Sequence, residues 1–199
     1  MKFPIIAAAA VAVVLASAPA AAFSEQDYER FKTERVCFGC DLRGLKLANG
    51  NLIRIHLTAS NLSNAVLFNA KLDEANLDQV RLRGANLGEA RMRFAIVGRA
   101  DLRGAILSGA DMIGTLFKFT NFTGADLNRA NMSATNLKYA NFTGANLIGV
   151  NLTKADMRGT ILAGANLTAA RGLTQEQISG ACGDSETTLP VGLILQSCR

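Results

Sequence analysis

Ala85-Asn86-Leu87-Gly88-Glu89-Ala90-Arg91-Met92-Arg93-Phe94-Ala95 contains the rule that organises this chain. A small residue is followed two places later by a large apolar one, and the pair returns after five. Outward from this stretch the large residue recurs without a slip at 26 sites from Leu42 to Leu167. Eighteen are Leu, four are Met (Met92, Met112, Met132, Met157), three are Phe (Phe117, Phe122, Phe142) and one is Val97. The small site is usually Ala, and between it and the large residue stands Asn or Asp at 16 of the 26 repeats. A repeat this strict is read before any local propensity.

A period of five suits neither ordinary element. In a helix each step rotates roughly 140°, so the Leu side chains would visit every face. In a continuous strand an odd period sends alternate Leu residues to opposite faces. Two inward residues followed by a bend satisfy the pattern, so the chain coils around its own apolar axis. The number of corners follows from a longer period. The fifth position is Gly at 44, 84, 104, 124, 144 and 164, and Asn64 fills the one gap in that column. Gly and Asn are the residues that best tolerate a left-handed backbone. Asn121-Phe-Thr-Gly-Ala125 also returns as Asn141-Phe-Thr-Gly-Ala145. Four repeats per turn make about 6.5 coils, a rod about 31 Å long at ~4.8 Å per coil.

This run, residues 40–169, resembles the pentapeptide-repeat family, whose motif is Ala-(Asp/Asn)-Leu-X-X. The resemblance implies an all-β solenoid, a right-handed quadrilateral (four-sided) β-helix. Ten repeats depart at the Asn/Asp site, among them Lys46, His56, Val66, Ile96, Ile106 and Leu116. Those positions point outward and alter the surface. The family shares architecture and not activity.

Residues 1–22 read as a secretory signal peptide. Lys2 precedes a wholly apolar Ile5 to Leu15, and Ala16-Ser-Ala-Pro-Ala-Ala-Ala22 supplies a small-residue region with cleavage after Ala22. The competing membrane anchor is weakened by Ala-rich composition and Pro19. The expected location is periplasmic or extracellular, with no stable membrane anchor after cleavage. Both ends of such a coil need covering. Residues 23–39 form an N-terminal capping segment: Ser24 caps a helix, Asp27 sits at its third position, and Phe23 packs on Tyr28 with Phe31 on the same face. Residues 170–199 form a C-terminal helix and tail cap. Thr174 and Gln177 make a capping box, Leu173 meets Ile178, Gly180 or Gly183 stops the helix, and Leu189 to Leu195 lies as an apolar edge strand.

Four Cys in an exported chain imply disulfides. Cys37 and Cys40 occupy consecutive inward sites across one corner, within disulfide reach. Cys182 and Cys198 lie about 30 Å away at the other end. The expected pairing is Cys37 with Cys40 and Cys182 with Cys198, the exceptions being a tail that folds back or chains that cross-link. Haem attachment needs a His where Asp41 stands, a thioredoxin-like site needs a βαβ context, and zinc needs a second pair nearby.

No catalytic, cofactor or metal site is expected. The single His56 is stacked between Val36 and Asn76 and lacks the carboxylate or thiolate partner of a triad or metal centre. The glycines serve corners and precede no long helix, so no phosphate loop forms. The reading is an exported non-enzymatic binding or scaffold module. The alternative, a topoisomerase-interacting DNA mimic of the pentapeptide-repeat type, requires an acidic cytoplasmic rod, whereas this chain carries a net charge of +5 and an export signal.

Wrapping the chain at twenty residues gives a candidate partner-binding face. Lys118, Lys138 and Arg158 stack in one column, and Arg99, Phe119 and Tyr139 in the next. Arg43, Arg81, Arg83 and Arg103 fall on the adjoining face. Like charges at ~4.8 Å repel, so the column reads either as a solvated basic face with aromatics closing gaps at corners or as an anion-attracting strip suited to an acidic protein or envelope polymer, with no nucleic acid expected. The rod is expected to be a monomer or an end-to-end dimer.

Overall fold

The structure is a computed structural model describing residues 23–198. Residues 1–22, read from the sequence as a signal peptide, lie outside them. Parallel bridges join each Asn/Asp-site residue to the one twenty positions on, from Val36 with His56 and Asp41 with Asn61 to Asn151 with Arg171. Every coil therefore has four sides of five residues, stacked in register.

Each side is held the same way. The N–H of the large apolar residue donates to the coil ahead, as Leu42 to Asn61 O (2.8 Å), while the Asn61 N–H donates back to Cys40 O (2.7 Å). A corner follows, closed by a bond such as Ala85 N–H to Leu82 O (3.0 Å). This is a four-residue turn with a positive φ at its third residue. All fifth positions from Gly44 to Ala169 adopt that conformation, including Arg54, Glu74, Phe94 and Tyr139. The left-handed corner is thus not confined to the Gly column; the column marks where the strain is relieved at least cost. The Asn and Asp residues serve the corner too. Their Oδ1 accepts the N–H two residues on, as in Asn61 with Ser63 (3.1 Å), Asn121 with Thr123 (3.0 Å) and Asn141 with Thr143 (2.9 Å).

The large apolar sites are buried from Leu42 to Leu167, with Leu47 half-buried near one end. Phe122 stacks on Phe142 at 4.6 Å and meets Phe117 edge-on at 5.1 Å, so three rings pack together on the axis. Buried hydroxyls at small sites are satisfied by the ladder, as Thr115 donates to Met92 O and Thr120 to Val97 O, each at 2.6 Å.

Helix α1, Glu25–Glu34, covers the first coil. Ser24 Oγ accepts from Asp27 N–H, Phe23 and Tyr28 rings lie 5.0 Å apart, and Phe31 is buried. Asp27 also accepts the Asp41 N–H at 2.9 Å, tying the helix to the coil edge. At the far end α2, Gln175–Ile178, begins in the capping box of Thr174 and Gln177 and buries Ile178. It stops at Ser179, before either glycine. Gln177 Nε2 donates to Leu152 O and Ala155 O, satisfying carbonyls of the last coil.

The tail differs from expectation. Its strand is β2, Gln196–Ser197, which pairs in parallel with β1, Cys182–Gly183. The apolar stretch Leu189 to Leu195 contains a turn at Val191 and Gly192, with Leu189, Leu193 and Leu195 packed on the core. Pro190 and Gly192 keep it out of the ladder, and Leu195 instead fills the space above Gly183. Cys37 and Cys40 are bridged with Cα atoms 5.6 Å apart, and Cys182 and Cys198 at 4.8 Å.

Candidate binding face

The four repeats of each coil give four long faces, and one of them carries an unusual surface in its middle coils. The fifth-position column runs Arg99, Phe119, Tyr139, Gly159. Phe119 and Tyr139 stack at 5.0 Å with 11° between their planes. The Arg99 guanidinium lies 6.0 Å from the Phe119 ring centre, and the Lys118 ammonium 4.9 Å. Tyr139 continues over Gly159, where a Cβ would collide with the ring. Each aromatic corner therefore rests on the coil beyond, and the ring faces are covered in turn by cation, ring and glycine.

The basic column proves less uniform than its spacing implies. Asp156 accepts from Arg158 Nε (2.9 Å) and Nη2 (2.6 Å), and Lys138 Nζ reaches the same carboxylate at 3.2 Å. One acid intercepts two of the three stacked cations. Arg99 comes within 4.0 Å of Asp78. Lys118 makes no ion pair with any described residue, so it is the cation of this column left to the surface. On the adjoining face Arg43 grips Asp41 and Arg103 grips Asp101, each through two nitrogens. These Asp-X-Arg pairs share one geometry: second and fourth positions of a repeat flank the same corner.

The hydrogen bonds from Arg158, and then Lys138, hold the Asp156 carboxyl well below the usual carboxylate range. With the folded value depressed, its stabilising effect is full above the unfolded value near 4 and is lost as pH falls through the folded one. Asp156→Asn should therefore lower the melting temperature at neutral pH, where the clamp is fully formed, and flatten the acid limb of the profile, where wild type loses it as well. An acid limb identical to wild type would show that the clamp carries no linkage.

Two residues not assigned to this face from the sequence complete it. Ile96 and Leu116 stand at successive Asn/Asp sites of the same side and are bridged neighbours. They are 43% and 44% exposed, beside Phe119 at 45% and Tyr139 at 55%. Together with Gly98, Arg99, Lys118 and Asp78 they surround a shallow groove of about 210 Å³. Both departures from Asn/Asp were visible in the sequence, and stacking them twenty apart is the signal that joins them. His56 is exposed between Val36 and Asn76, away from this groove. Among the described residues no helix is long and apolar enough to cross a membrane.

Similar proteins share the repeat. HetL, a pentapeptide repeat protein involved in heterocyst differentiation regulation in the cyanobacterium Nostoc sp. strain PCC 7120, is 30% identical over 74% of this chain and 71% of its own, with a TM-score of 0.36. Rfr23 of the cyanobacterium Cyanothece 51142 is 27% identical over 83% of this chain and 98% of its own, TM-score 0.39. QnrB1, a plasmid-mediated fluoroquinolone resistance protein, is 22% identical over 77% of this chain and 88% of its own, TM-score 0.29. A search of curated proteins returns no match. The family model for pentapeptide repeats matches residues 37–72, 60–97, 98–133 and 135–171. The chain belongs to the pentapeptide repeat family.

Proposed function

We propose that this chain is an exported, non-catalytic binding module working in the periplasm or outside the cell. In this reading residues 1–22 are removed on export. Residues 40–169 form a rigid right-handed rod of about 6.5 coils, and residues 23–39 and 170–199 close its ends. The Lys118–Tyr139 face is where an anionic partner docks. The observation that carries the reading is the uncompensated Lys118 ammonium beside four half-exposed apolar side chains on one flat face. Apolar residues are exposed elsewhere too, as at Ile106 and Ile161, but here Ile96, Leu116, Phe119 and Tyr139 stand together beside cations, the combination of an interface core and its rim. The role of QnrB1 is not carried over, because the likeness is one of fold and this chain is basic.

Two measurements test this. Fractionation of tagged full-length protein should yield an exported form beginning at Phe23; an uncleaved cytoplasmic product overturns the export half. Affinity capture from envelope extracts should then weaken roughly fivefold to tenfold for Lys118→Glu, since reversal turns attraction into repulsion. Reversing Lys138 or Arg158 is less clean, because either change places a second carboxylate beside Asp156. Capture by Lys118→Glu equal to wild type at low salt removes this face from consideration.

A further inference from the structure

The groove above Gly98 is built at some cost to the repeat. Asn at position 96 or 116 would accept the corner N–H of Gly98 or Lys118, as Asn136 does for Lys138 at 3.2 Å. Ile96 and Leu116 give up those bonds yet remain close to half exposed, so the lost hydrogen bond is not offset by full burial. Between the two rows the fourth site is Gly98, whose missing side chain lets the Asp78 carboxylate lean over it, a Cβ there lying 2.7 Å from Asp78 Oδ1, so the floor is shallow and one movable side chain deep. Asp78 marks one end of the groove and Lys118 the other.

These walls select among anionic partners. A sugar or a base stacks on an open aromatic face. Here both faces of Phe119 are occupied, by the Arg99 and Lys118 cations and by Tyr139, and Tyr139 lies between Phe119 and Gly159. Ring edges and aliphatic side chains remain, which match the side chain of another protein. The charge is also directional. An acid beside the apolar residue is attracted toward Lys118 and repelled toward Asp78.

We propose, resting on the face assigned above, that the groove binds an extended acidic and apolar peptide segment of a partner protein. One aliphatic or aromatic side chain sits over Gly98, between the Ile96 and Leu116 wall and the edge of Phe119. An Asp or Glu next to it meets Lys118, and the flank nearer Asp78 carries no acid. The rigid ladder beneath keeps the two subsites at constant separation, so recognition needs no rearrangement of the rod.

The test uses the full chain and a phage-displayed library of random twelve-residue peptides, followed by titration of the enriched peptide carrying a fluorophore. The enriched sequences should share an apolar residue with an acid close on one side. The double variant Ile96→Asn/Leu116→Asn restores the family residue at both sites. It should keep or raise the melting temperature while binding the peptide at least about tenfold more weakly. Gly98→Val, which fills the floor against the movable end of Asp78, should weaken binding to a similar degree. Changing the peptide acid to its amide should weaken binding to wild type and not to Lys118→Glu. Alginate, a polyanion with no apolar side chain, should bind less tightly than the peptide and ignore the Asn variants.

Equal peptide affinity for wild type, the Asn double variant and Gly98→Val overturns the groove. If Lys118→Glu still abolishes binding in that case, the face reading stands and only the apolar subsite fails. If Lys118→Glu is also without effect, both fail. Alginate binding that exceeds the peptide and is lost with Lys118→Glu likewise overturns the peptide in favour of a polymer.

Discussion

Leu127→Asp should prevent the central coils from folding. Leu127 is fully buried, with Leu107 and Leu147 in the same column on either side, and its backbone is already paired through Asn146 O. Truncating a buried Leu alone removes about 2.7 to 5 kcal/mol. A carboxylate left on the apolar axis has no donor to meet it, which adds several kcal/mol more or forces protonation. The total rivals the whole stability of a typical domain, about 5 to 15 kcal/mol. The adjacent half-exposed Asn128 is the control: Asn128→Asp adds a charge near Asp126 and should cost under about 1 kcal/mol. Circular dichroism melts of the two variants decide the matter, and equal midpoints would refute the inward and outward assignment.

The second large effect concerns the tail. Cys182 and Cys198 close a sixteen-residue loop, for which the chain-entropy model gives about 3 kcal/mol. Without the bridge, β2 is held by Cys198 N–H to Gly183 O, by Gln196 Nε2 to Ser179 O and Ala181 O, by the short pairing with β1, and by the paired bonds of Gln175 with Ile194. Cys182→Ser/Cys198→Ser should therefore speed hydrogen exchange over residues 182–198 while Leu62 to Met132 keep wild-type protection. Coils in a stack touch only their neighbours, so loosening at one end stays there. Uniformly faster exchange along the rod would mean that the tail stabilises the whole molecule and not its last coil.

Most of the architecture was legible because one five-residue rule governs nearly every side. The inward Leu column, the twenty-residue closure and both helix starts at Ser24 and Thr174 follow from spacing and side-chain chemistry that act locally. The tail did not obey that rule. Its apolar run looked like a strand, yet the polar pair Gln196 and Ser197 forms the strand, because the edge at Gly183 and the bridge to Cys182 decide what can pair. The candidate face was legible as a column of cations but not as a circuit. Asp156 stands two residues before Arg158, the spacing of Asp41 with Arg43 and Asp101 with Arg103, which removes Arg158 from the open charge, whereas Lys138 reaches Asp156 from the neighbouring coil, a contact that no spacing within one repeat reveals. Ile96 and Leu116 are each exceptions to the Asn/Asp rule, and only their shared side makes them a wall.

The bridges between positions twenty apart also restrict how this protein can change length. An insertion or deletion of twenty residues adds or removes one storey and leaves every column aligned. A change of five keeps the inward pattern and the corners intact, yet turns everything downstream by a quarter of a circle. Excising residues 100–104, for example, would leave a foldable pattern but carry Phe119 and Tyr139 around to a different side from Arg99 and Ile96. Surviving length variants should therefore differ by whole storeys wherever the groove must be kept, and by single repeats only before Asp78 or beyond Gly159, where no wall remains to be split.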